Sequence, residues 1–219
     1  IVPNPEAVNL NDWDNRRMNF IFAGTTRLVP SNIFKDLWRL SNVTVNLGAS
    51  LLGPTIDSTS LEVQFGTWNN AGTVDLGNGS AGFADVGTRG DWSQHNDYFL
   101  TGTGTWRTHQ VLIGRNSSRL QPLPGGTVVR LQVQGDFENY DEFVGRVGAA
   151  RIDVVMSGRR KQYLRGNVTE TTGAATSFYN FEVDNSNGLL NFNNTADVWF
   201  QSFGGGNITY YVTGNFTMR

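Results

Sequence analysis

Short runs of strictly alternating apolar and polar residues constrain this chain more than any other feature. From Thr127 to Gln134, Val129, Leu131 and Val133 point one way, while Val128, Arg130, Gln132 and Gln134 point the other. A period of two belongs to a strand with one buried face and one wet face. The same alternation marks Val43, Val45 and Leu47, the run Leu61-Glu62-Val63-Gln64-Phe65, then Ile152, Val154 and Met156, and Tyr179, Phe181 and Val183. Strands are also expected over about Met18 to Phe22, Val198 to Phe203 and Ile208 to Met218. Clean alternation is the mark of antiparallel sheets, since buried parallel sheets read as continuous apolar runs.

Composition agrees with many short strands and tight turns. The 219 residues include 26 Gly and 23 Asn, against six Glu and two Lys. Strong helix formers are therefore scarce and turn formers abundant. Roughly ten strands at short-loop spacing argue for a sandwich or barrel. No repeat of fixed period stands out, so a solenoid or propeller is not expected. The expected fold is all-β, an antiparallel two-sheet β-sandwich of the jelly-roll kind. It would comprise an extended N-terminal arm over 1–19 and a single sandwich domain over 20–219. One short helix is expected over about 31–40, where Ser31 caps a face made of Ile33, Phe34, Leu37 and Trp38. Asn187-Gly188 reads as a type I′ hairpin turn. Thr67 to Thr105 reads as a long, weakly patterned loop region, the kind of segment that carries function.

Charge and special residues narrow the chemistry. A net charge of -2 argues against a nucleic-acid coat, so nucleic-acid contact by this domain is not expected. Absent cysteine removes disulfides, zinc-thiolate sites and thiol catalysis. No apolar run is long enough to span a membrane. The start, Ile1-Val2-Pro3-Asn4-Pro5, carries neither a Met nor a signal peptide and reads as a processed or trimmed end. The two histidines, His95 and His109, lack metal-ligand spacing and the company of a catalytic serine elbow. No cofactor or metal is expected. Asp184-Asn185-Ser186-Asn187-Gly188 misses the spacing of a calcium loop, which leaves only Ca²⁺ at a subunit contact as a conceivable ion.

Four groups of residues remain as candidates. Arg89-Gly90-Asp91 is an attachment tripeptide when a loop presents it, with coincidence as the simpler explanation. Trp68, Trp92 and Trp106 would make a sugar-stacking platform if exposed, and core residues otherwise. Glu62 and Glu182, in Leu-Glu-Val and Phe-Glu-Val, are the carboxyls to test if the chain is a glycosidase or lyase. Ser157-Gly158-Arg159-Arg160-Lys161 with Arg165 is a basic cluster that reads first as a solvated turn. Seven Asn-x-Ser/Thr triplets, several of them in expected strands, do not by themselves imply glycosylation.

The functional expectation is a non-enzymatic structural or attachment protein, specifically a jelly-roll capsid or surface subunit of a virus particle, located in the virion. Its partners would be copies of itself, other coat proteins and a cell-surface receptor or glycan. That expectation rests on fold-level analogy. The first alternative is a secreted carbohydrate-binding or adhesion domain, and the second a jelly-roll glycosidase or lyase.

Overall fold

In the computed structural model the described residues are 19–28, 37–39, 42–53, 60–62, 67–77, 80–83, 96–113, 118–140, 142–158, 161–166, 176–184, 198–202, 210–212 and 214–218. They form strands that wind as a parallel β-solenoid with three faces. Each coil lays one strand on each face, hydrogen-bonded to the coils before and after it. The first sheet runs Asn19–Phe22, Asn42–Val45, Thr67–Asn70, Asn96–Thr101, Ser118–Pro122, Glu142–Val144, Thr176–Phe178 and Tyr210–Val212. The second runs Thr25–Arg27, Ser50–Leu52, Thr73–Asp75, Thr105–Thr108, Val128–Val133, Ala150–Met156, Phe181–Val183 and Phe216–Met218. The third runs Leu37–Arg39, Ser60–Glu62, Ser80–Phe83, Gln110–Ile113, Phe137–Asn139, Gln162–Gly166 and Val198–Ser202. Among the described residues, Arg146–Val147 is the one strand that pairs antiparallel, folding back on Ala150–Met156.

The antiparallel sandwich and jelly roll are therefore corrected to a solenoid of parallel sheets. The physical reason lies in the shape of the core. A solenoid encloses a single narrow column of side chains, so each strand keeps one face in water, as an antiparallel sandwich strand does. Alternation alone does not separate the two. The repeat escapes notice because coil length varies: first-sheet strands begin 22 residues apart at Asn96 and Ser118, and 34 apart at Glu142 and Thr176. The helix expected over 31–40 is corrected as well. Leu37–Arg39 is a strand of the third sheet, and 29–36 lie outside the described residues. The stretch from Thr67 to Thr105 contains strands of all three sheets rather than one long loop. The Asn187-Gly188 turn and residues 1–18 of the expected arm lie outside the described residues.

In-register stacking builds the core. On the second sheet Leu51, Val74, Trp106, Leu131, Val154, Phe181 and Phe216 are successive Cα partners, one above another. All but Phe216 are buried. The first sheet contributes Val43, Trp68 and Leu100, then Leu120 and Phe143, and the third contributes Val111, Phe137 and Leu164.

The corners show what Asn, Gln and Gly contribute to this fold. Where the chain turns from one face to the next, peptide groups leave the ladder inside the molecule and need partners. Asn70, fully buried, donates to the Thr105 carbonyl at 2.8 Å and accepts from the Gly72 amide at 3.0 Å, tying one corner to the next coil. Gln162 does the same elsewhere, accepting from Gly158 at 2.9 Å and donating to the carbonyls of Val133 and Gly135. Gly102 shows why a side chain is excluded at such a point. Its φ is +104°, and a Cβ there would collide with the Asn70 backbone. No helix among the described residues is long and apolar enough to cross a membrane.

Candidate functional site

The stacked geometry decides what each candidate residue does. Trp68 and Trp106 are 2% and 4% exposed, and their rings pack on each other with centroids 5.4 Å apart. Their faces meet inside the coil, on the first and second sheets, rather than toward solvent. Trp92 and Arg89-Gly90-Asp91 lie outside the described residues, as do His95, Arg159, Arg160 and Asn185 to Gly188. His109 is exposed at a corner between the second and third sheets. Glu182 is on the second sheet, where its carboxylate accepts from Arg130 at 3.1 Å. Glu62 belongs to a third-sheet strand with Arg39 as its register partner. The two glutamates are thus on different faces and far apart along the stack. Among the described residues, no group of three or more His, Asp or Glu converges as a metal site.

Parallel register turns the outer faces into charge ladders. A residue on one coil is directly beside its partner on the next, so opposite charges at one register position pair across coils. Asp75 partners Arg107 and forms an ion pair with it. Arg119 partners Glu142, and Glu138 partners Arg165 at 3.4 Å; both are ion pairs. Arg165 also reaches Asp136 at 3.5 Å and lies over the Tyr163 ring at 4.1 Å, with Lys161 over the same ring at 5.3 Å. Half of the basic cluster is thereby tied down on its own sheet. Burial pushes the Asp75 carboxyl up, but the Arg107 hydrogen bond, the Gly77 amide and the charges of Arg107 and Arg27 outweigh it and leave the group below the ordinary aspartate value. Arg107 is held above its ordinary value by the Asp75 hydrogen bond, against burial.

Among the described residues, one place breaks this rule. At the antiparallel flank, Arg146 has Arg151 as its direct register partner. Like charges opposed across a ladder are destabilising. The arrangement comes from a tight return: Gly148, at φ +63°, turns the chain back after Arg146-Val147 so that Ala150–Met156 can rejoin the coil. Both guanidiniums lie against the Tyr179 ring, Arg146 at 4.6 Å and Arg151 at 5.5 Å from its centroid. Arg151 is partly neutralised by Asp153 at 3.2 Å, and Asp153 also accepts from Asn180 at 2.8 Å. Arg146 uses only its Nε, donating to the Gly148 carbonyl at 2.7 Å. Among the described residues its terminal nitrogens meet no acceptor. Two cations, one shared carboxylate and an aromatic ring thus form an outward site with unspent positive charge.

Sequence reasoning missed this site. The signal was present in Gly145-Arg-Val-Gly-Ala-Ala-Arg151, where a return at Gly148 sets the two arginines opposite each other. Reading it required knowing that the chain doubles back there. No family model, curated protein or solved structure matches this chain.

Proposed function

We propose that this chain is a non-enzymatic attachment scaffold, a stiff solenoid that holds a partner on its outer faces. The observation that carries the reading is the Arg146–Arg151 return. Among the described residues it is the one departure from parallel pairing, and it places two guanidiniums and the Tyr179 ring on the outside, in a like-charge arrangement that folding alone does not favour. In coiled scaffolds, additions to a coil map to loops on one face, and that face is often the binding one. The argument for a virus-shell subunit drew on the jelly roll and loses its premise with it. The adhesion alternative is drawn on the same sandwich, and Trp68 and Trp106 of its platform are in the core; its binding role is the part kept here, now resting on the Arg146–Arg151 return.

The test is retention and turnover side by side. The purified chain, coupled to beads, is passed over a panel of immobilised neutral and acidic cell-surface polysaccharides. Saturable retention with no release of reducing ends is the expected result. Catalytic release of reducing ends, abolished by Glu182→Gln or Glu62→Gln, would overturn the reading in favour of a glycoside-acting enzyme.

A further inference from the structure

We infer that the Arg146–Arg151–Tyr179 cluster binds the carboxylate of an acidic glycan, a deepening that rests on the attachment reading above. The case begins with what the site lacks. Elsewhere on the described faces, Arg107, Arg119 and Arg165 each form an ion pair with an acidic register partner, respectively Asp75, Glu142 and Glu138, and Arg130 pairs with Glu182. At the return the partner of Arg146 is Arg151, and Asp153 is shared between Arg151 and Asn180. An anion placed between the two guanidiniums supplies the missing partner.

Geometry selects the kind of anion. Directly opposed residues on an antiparallel pair have Cβ atoms about 5 Å apart, so one small planar anion is within reach of both guanidinium groups. The guanidinium fork matches a carboxylate with two parallel N–H···O bonds, which an ammonium cannot reproduce. The Tyr179 ring lies against both cations and restricts where they sit, lowering the ordering cost of binding. On the other side of Arg151, its parallel register partner is Val128, which is 41% exposed. Cation, aromatic ring and a small apolar surface side by side suit a sugar acid, whose ring offers C–H faces beside its carboxylate. A nucleic acid is disfavoured, because backbone phosphates demand a row of cations and this chain has a net charge of -2.

The experiment is titration calorimetry of the full chain with oligogalacturonate and with the same oligosaccharide fully methyl-esterified. The acid form is expected to bind and the ester to fail. Arg146→Gln should weaken binding of the acid by about tenfold or more, the loss of a charged hydrogen-bonded contact. Arg146→Lys should restore only part of it, since the charge returns without the fork. Arg27→Gln, at the far end of the same sheet, should leave binding unchanged. Unaltered melting curves for each variant show that the coil is intact. Equal binding of acid and ester, wild-type affinity in Arg146→Gln, or tighter binding of a duplex oligonucleotide through Arg146 would each overturn the proposal. Retention on neutral glycans that ignores Arg146→Gln removes the ligand assignment and spares the attachment reading. Binding to no glycan at all removes both.

Discussion

Two aromatic clusters occupy equivalent places inside the coil and are built differently. Toward the N-terminal half, Trp68 and Trp106 face each other across the first and second sheets at a 47° tilt. Beside them is a void of about 10 Å³, lined by Trp68, Val74, Leu76, Leu100, Trp106 and Leu131. Neither indole N–H has a hydrogen-bond partner among the described residues. Toward the C-terminal half, Phe137, Phe143, Phe178 and Phe181 come from all three sheets. Phe178 has ring centroids at 5.5, 5.2 and 4.7 Å from the other three. The phenylalanines meet at interplanar angles from 48° to 78° and bring no polar atom to satisfy. The tryptophans cover more area but leave a gap and two orphan donors. Ring size alone does not decide how well a narrow core is satisfied: the phenylalanines bring no donor, whereas each tryptophan brings one that the described residues do not meet.

That contrast has measurable consequences. Phe178→Ala should be the most damaging, costing about 3–5 kcal/mol in denaturant unfolding, because it removes the ring on which three others meet. A cost below about 1 kcal/mol would show that the phenylalanine column is looser than its ring geometry. Adding one methylene separates the two clusters further. Val154→Ile, next to Phe181 in register, should cost about 1–3 kcal/mol through overpacking. Val74→Ile, which borders the void, should be tolerated within about 0.5 kcal/mol. Equal costs at both sites would erase the distinction. The smallest effect is expected on the outside of the tryptophan coils. The Asp75 carboxyl titrates lower in the folded chain than in the unfolded one, so its contribution is complete above about pH 4 and is lost as pH falls through the folded value. The Arg107–Asp75 pair is partly solvated and screened, so Asp75→Asn should cost about 0.5 kcal/mol at neutral pH. Melting curves recorded at falling pH should show wild type and variant converging; a gap that widens in acid would reverse the assignment.

Much of the local structure was legible from residues. Val129, Leu131 and Val133 are buried as their alternation requires, with Val128 and Arg130 on the outside. The strand expected near Met18 to Phe22 is present as Asn19–Phe22. Leu37 and Trp38 misled because helical spacing over a few apolar residues also fits a short strand, and coil register places them on the third sheet. The candidate site was harder. Trp68 and Trp106 looked equally suited to surface or core, since an indole serves both and alternation around them is interrupted by corners. Arg146 and Arg151 drew no notice because each alone is an ordinary surface arginine; only their opposition makes a site.

By itself the sequence determined strand identity and the inward face where alternation is unbroken, as over Val128–Val133 and in Ile152, Val154 and Met156, because these depend on neighbours one or two residues away. The tertiary structure alone decided that the strands run parallel, that coils of unequal length stack in register, and that two arginines face one another over a tyrosine. Those outcomes depend on pairing between residues tens of positions apart, and a backbone ladder records no side-chain signature of which strand it will choose.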